Sequence, residues 1–128
     1  MNKMNKKDPL GIRNVNFSCI DKRGNKREYL RLWKKQRLER GFDDTECWNL
    51  DCTFGWFIVP RLKVLRRNHH GYPDELHNDK NWCKVLDEMI WAFDTAANHF
   101  ERTPTEEDYK RIHKGLKLFT KYYCHLWD

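Results

Sequence analysis

Histidine and cysteine cluster in one stretch of the 128-residue chain, as His69, His70 and His77 with Cys83 beyond them. Imidazole and thiolate are donors that zinc accepts, and a structural site needs four of them placed tetrahedrally. The spacing here follows no common zinc pattern, so these residues read as surface-loop histidines and no metal site is expected. Asn68, His69 and His70, with Asn78 and Asn81, also invite comparison with an HNH-type nuclease. Such a site places a hairpin before its metal-binding helix, whereas here a helical pattern precedes the histidines. A metal-dependent hydrolase or nuclease using the His69/His70/His77 loop is kept as an alternative.

Asp51 and Asp94 each lie in an aromatic-rich helical stretch. Two carboxyl groups in unlike environments can divide acid and base roles. An acid beside a helix stripe more often pairs with a cation, and Arg61 is a candidate partner for Asp51. There is no Gly-rich phosphate loop, nucleophile elbow or redox thiol pair. The expectation is therefore a protein that binds rather than catalyses, with no cofactor.

Binding has better candidates. Lys22, Arg23, Lys26, Arg27, Arg31, Lys34 and Lys35 crowd the N-terminal part, and Lys110, Lys114, Lys117 and Lys121 recur at helical spacing near the end. Either set can hold phosphates through charge attraction and counterion release, and either can equally be a solvated face. Six tryptophans include Trp56 and Trp91, which flank their helical stripes and are the ones expected to face a groove, a partner or solvent. Around the second helix and its loop, Trp48, Asp51, Trp56, Arg61, Arg66, Arg67 and Tyr72 form the expected ligand-contacting set.

The elements that must position these groups follow from periodicity. Residues 1–13 read as a flexible lead-in, and 14–128 as one helical domain with a basic segment (14–40) and a helical core (41–128). Val15, Phe17 and Cys19 alternate with polar residues, the pattern of a short strand or hairpin arm. A first helix is predicted from about Lys26 to Arg40, ended by Gly41. A second, capped by Asp43 or Asp44, carries Leu50, Phe54, Phe57, Ile58, Leu62 and Leu65, with a kink or break near Pro60. A third begins at Asp79 and runs through Trp82, Leu86, Met89 and Phe93 to Phe100. A fourth opens at Thr103-Pro104 and has a seam of Tyr109, Ile112, Leu116, Phe119, Tyr123 and Leu126. The predicted fold is mainly α, a compact bundle of about four helices.

Composition narrows the setting. The formal charge of +6 is uneven: residues 1–40 hold 13 Lys/Arg against 4 Asp/Glu, and the remaining residues hold 12 against 15. The basic character is thus N-terminal, which favours an anionic partner at that end. Five cysteines without a CxxC pair suggest reduced thiols. The longest apolar run, 54–59, is too short to span a bilayer, and no apolar signal-peptide core follows the basic start. No membrane association is expected, and the expected location is the cytoplasm.

Residues 41–54 (GFDDTECWNLDCTF) and 57–63 (FIVPRLK) resemble a widespread group of small proteins encoded by tailed bacteriophages and prophages. So do 71–76 (GYPDEL), 86–93 (LDEMIWAF), 115–123 (GLKLFTKYY) and 126–128 (LWD). The resemblance spans about residues 41–128 and leaves the basic segment outside it. It implies a phage accessory protein in the host-cell cytoplasm, where proteins of this size often antagonise host defence. The expected partner is an anionic nucleotide-type signal or a host protein. The alternative is nucleic acid bound through the basic N-terminal segment, and an aromatic-rich bundle leaves room for homo-oligomerisation.

Overall fold

The computed structural model describes residues 17–98 and 103–127. It contains four α-helices, α1 (Arg27–Arg40), α2 (Leu50–Asn68), α3 (Asp79–Ala97) and α4 (Glu106–Tyr122). Short 3-10 turns lie at Asp44–Cys47, Asp74–Leu76 and Tyr123–His125. The fold is mainly α, as predicted. The expected strand at 15–19 is absent over its described part, Phe17 to Cys19, which is irregular; Val15, the lead-in at 1–13 and Phe100 lie outside the described residues. The chain divides into two compact units, with the boundary between Thr53 and Phe54.

In the first unit α1 ends where predicted. Gly41 takes the left-handed conformation (φ 85°) and its amide caps the helix on the Arg37 carbonyl at 2.9 Å. The expected single second helix is instead two elements. Asp43 and Glu46 form a reciprocal capping box on the 3-10 turn, and α2 starts only after Asn49, which has a positive φ of 52°. That break turns the Asp43 side chain inward. Its carboxylate is fully buried and receives the Lys22 ammonium at 2.5 Å, the Thr45 amide at 2.9 Å and the Thr45 hydroxyl, with Arg37 Nε at 3.5 Å. Glu46, also buried, accepts from the Phe17 and Asp43 amides. Over its described part the segment expected as a strand is therefore held by polar side chains, and no strand is found among the described residues.

Of the apolar positions on α1, only Trp33 is buried, stacked on Tyr29 and met edge-on by Trp48 at 6.0 Å. Tyr29, Leu30, Leu32 and Leu38 are exposed. Apolar spacing on this helix marked a face but not its burial, and with so many Arg and Lys between, its amphipathicity is weak.

In the second unit α2 runs through Pro60 without a break. Proline removes one backbone donor and crowds the preceding turn, leaving carbonyls there short of partners. The Arg61 guanidinium donates to the Phe57 carbonyl at 2.8 Å while lying over the Phe57 ring. The core gathers Val59 and Leu62 of α2, Trp82, Leu86, Met89 and Phe93 of α3, and Tyr122 of α4. Phe93 meets Phe119 at 5.0 Å and Phe54 at 5.5 Å, both edge-on, the arrangement that ring quadrupoles favour.

Helix starts in this unit are capped by side chains. Asn78, rather than the expected Asp79, caps α3 through the Asn81 amide at 2.8 Å. Thr105 and Asp108 form a capping box on α4, two residues beyond the predicted opening. Helices α3 and α4 approach closely at Gly115, where a Cβ would fall 2.6 Å from the Glu88 carbonyl oxygen. The seam of α4 is accordingly Ile112, Gly115 and Tyr122, with Leu116 and Phe119 half-buried and Tyr109 and Tyr123 exposed at the rim. Across the same pair, Arg111 grips Glu88 with two nitrogens (3.0 and 3.2 Å) and lies over Trp91.

Replacing Asp43 by Ala leaves Lys22 and Arg37 without their buried counter-ion and should cost about 3 kcal/mol, read as faster hydrogen exchange of amides in residues 17–53. Burial pushes the Asp43 carboxyl up, but the hydrogen bonds from Lys22 and Thr45 outweigh it and the net shift is downward. A depressed carboxylate stabilises fully above the ordinary Asp range and loses that contribution as pH falls through its folded value, so acid should loosen this unit. In the second unit, Gly115→Leu should lower the melting temperature by an amount worth about 1–3 kcal/mol of overpacking. Gly71→Ala, with nothing within 4 Å of the added carbon, should leave it unchanged.

Candidate functional site

Three surfaces of the second unit collect the side chains capable of chemistry. The first is a recess of about 660 Å³ between the end of α2 and the start of α3, lined by Lys63, Arg66, Arg67, His69, Asp79, Cys83, Asp87 and Ile90. Asp79, Cys83 and Asp87 are spaced i, i+4, i+8 and so share one face of α3, turned away from the buried stripe. His69 is the first residue past α2, and its amide still follows the helical pattern by donating to the Leu65 carbonyl at 2.8 Å. Its side chain is only 7% exposed.

The His69 ring is oriented by two contacts. Nδ1 lies 2.6 Å from the Arg66 carbonyl oxygen, which can only accept, so Nδ1 carries a proton. Nε2 then points at Asp79 Oδ1, within hydrogen-bond reach. Cys83 Sγ is 3.7 Å from the other oxygen, Asp79 Oδ2. The hydrogen bond to Asp79 raises the His69 pKa, against an opposing effect of burial. Burial first, and the Asp79 charge second, raise that of the Cys83 thiol. A thiol so shifted is not an activated nucleophile, and the order Cys83–Asp79–His69 puts no base next to the sulfur. Arg66 pairs with Asp87 at 2.6 Å, which leaves Lys63 and Arg67 exposed at the rim.

The second surface is the outer face of α4, a groove of about 450 Å³ lined by Lys110, His113, Lys114, Lys117, Leu118 and Lys121. No carboxylate lines it among the described residues. At its two ends Lys110 reaches Glu107 at 3.5 Å and Lys121 reaches Glu75 at 3.6 Å. Among the described residues, Lys114 and Lys117 have no carboxylate within ion-pair distance. The third surface is a recess of about 350 Å³ formed by the 70–73 loop and the C-terminal turn, where His70, Tyr72, His125 and Trp127 meet.

The sequence-predicted contacts distribute unevenly over these surfaces. Arg66 and Arg67 line the first recess and Tyr72 the third. Arg61 is folded onto its own helix, and Trp56 is exposed on α2 outside all three. Trp91 is covered by Arg111 instead of facing a groove. In the first unit, Trp48 packs on Trp33, and Asp51 is exposed in the first turn of α2, where a negative charge suits the helix dipole. The N-terminal basic set is partly committed: Lys22 to Asp43, Arg23 to Asp21 at 2.8 Å, and Lys35 to Glu39 at 3.9 Å. Lys26, Arg27, Arg31 and Lys34 are exposed.

The three histidines of the loop do not converge. His69 and His70 line different recesses, and His77 is exposed at the left-handed end of the Asp74–Leu76 turn (φ 69°). Sequence reasoning missed Asp79 as a partner of His69, having read it as a helix cap, and missed Lys63 and Asp87. The i, i+4 spacing of Asp79 and Cys83 on a helix was the available signal. No protein-family model matches the chain, and no curated protein or solved structure matches it either.

Proposed function

We propose that this chain is a non-catalytic binding protein whose lysine-lined α4 face holds the phosphates of a nucleic-acid strand. The observation that carries this reading is the groove over Lys110, Lys114, Lys117 and Lys121, lined by cations and no acid. Like charges three and four residues apart destabilise a helix by about 0.2–0.5 kcal/mol per pair. Of the three such pairs along α4, only Lys114 and Lys117 both lack an acid within ion-pair distance among the described residues, and a bound polyanion would relieve their repulsion. Residues 110 to 121 extend over about 16 Å of helix axis at 1.5 Å per residue, longer than one phosphate needs and suited to several in a row. The first recess suits an anion less well, because Asp79 and Asp87 sit among its cations.

The likeness of residues 41–128 to tailed-phage proteins supports a setting in the host-cell cytoplasm and a role against host defence. A second reading, sequestration of a single nucleotide signal, is favoured by one observation. The recess at Tyr72 and Trp127 has aromatic walls to stack a base, and His70 and His125 beside them.

Titration of a labelled single-stranded oligonucleotide followed by fluorescence anisotropy tests the first reading. Binding should weaken with salt with a log–log slope near −0.7 per phosphate neutralised, and Lys114→Glu with Lys117→Glu should lower affinity by tenfold or more. Lys63→Glu should leave it nearly unchanged. Absence of binding at low salt, or equal binding by the double variant, would reject the α4 face. Thermal stabilisation by a mononucleotide that Tyr72→Ala abolishes would favour the second reading.

A further inference from the structure

We infer that His69, Asp79 and Cys83 form a binding site for a divalent transition-metal ion of borderline softness, zinc above all. The proton on His69 Nδ1 is fixed there by the Arg66 carbonyl 2.6 Å away. A neutral ring so held presents a lone pair at Nε2, and it presents it to a carboxylate oxygen that is also an acceptor. With the proton on Nδ1, Nε2 and the carboxylate oxygen are both acceptors and face each other through a cation. A proton can serve, giving an imidazolium–carboxylate pair, and so can a metal ion.

The third donor selects the metal. Cys83 lies one helical turn beyond Asp79 on the same face, and the nitrogen, oxygen and sulfur atoms all fall within 4.8 Å of one another. Ligands of a tetrahedral zinc ion, bonded at 2.0–2.3 Å, are separated by roughly 3.3–3.8 Å. The sulfur is already at that range from the carboxylate, while the imidazole and carboxylate must part by about an ångström to admit the ion. Calcium and magnesium take oxygen ligands, whereas imidazole with thiolate suits zinc and its neighbours.

The surroundings fit as well. The carbonyl behind Nδ1 is the outer contact that orients a metal-bound histidine. Thiolate and carboxylate together carry two negative charges, matched by a dication, and the nearest guanidinium, Arg66, is neutralised by Asp87. Lys63 and Arg67 line the same recess, a rim that suits water or an oxyanion as the fourth ligand.

Cobalt(II) replaces zinc in such sites, and a cobalt–thiolate bond gives an intense charge-transfer band in the near ultraviolet. Full-length protein, stripped with a chelator under reducing conditions and titrated with cobalt(II), should develop that band to saturation at one ion per chain and lose it on adding zinc. Cys83→Ser should abolish the band while Cys124→Ser retains it, and His69→Gln should weaken cobalt binding tenfold or more. Absence of the band in the unaltered protein, or its survival in Cys83→Ser, would overturn the site. Should circular dichroism show Cys83→Ser unfolded, His69→Gln and Asp79→Asn decide: unchanged cobalt affinity in both rejects the proposal, and loss in both sustains it. The readout is independent of nucleic-acid binding, so the α4 face and this site stand or fall separately.

Discussion

Burial of one face of α3 is the constraint on which the second unit depends. Trp82, Leu86, Met89 and Phe93 recur along that face, each almost completely removed from water, and the other two helices supply the side chains that enclose it. Once this stripe is committed to the core, the 3.6-residue period leaves Asp79, Cys83 and Asp87 on a face where polar groups can be solvated. The recess beside α2 is therefore a geometric consequence of core packing. The same logic acts on α4: Ile112, Gly115 and Tyr122 turn inward, and the lysines are left along the outside.

The close approach at Gly115 makes this arrangement specific. A side chain there would meet helix backbone, which cannot yield as a flexible side chain does. Arg111 on Glu88 and Trp91 fixes the same pair of helices from the outer edge, and the downward shift of the Glu88 carboxyl, caused first by its hydrogen bonds from Arg111, marks a pair that is engaged. A charged groove on α4 and a donor cluster on α3 can then be held on one rigid body without either supplying the packing.

The first unit is organised differently, around a buried carboxylate. Asp43 draws Lys22, Thr45 and Arg37 to itself, and Glu46 draws in the Phe17 amide, so polar contacts do much of what an apolar core does in the second unit. This also changes the meaning of the basic N-terminal segment. Part of its charge is structural, and the exposed remainder shares α1 with uncovered Tyr29, Leu30, Leu32 and Leu38.

Sequence alone determined what depends on neighbours within a few residues. The helical class, the Gly41 stop, the capping function near Thr105 and the lysine stripe of α4 all follow from local backbone chemistry or from a repeat of three and four. Tertiary structure decided what depends on where a surface ends up. The apolar positions of α1 remained largely exposed, because spacing reports a face and not what covers it. Pro60 was carried through α2, flanked by Val59 and Leu62 that the core buries, a burial that local propensity does not report. His69 met Asp79 and Cys83 rather than His70 and His77, because the loop between α2 and α3 reverses the chain and sets helix end against helix start, a proximity that ten residues of sequence separation do not encode.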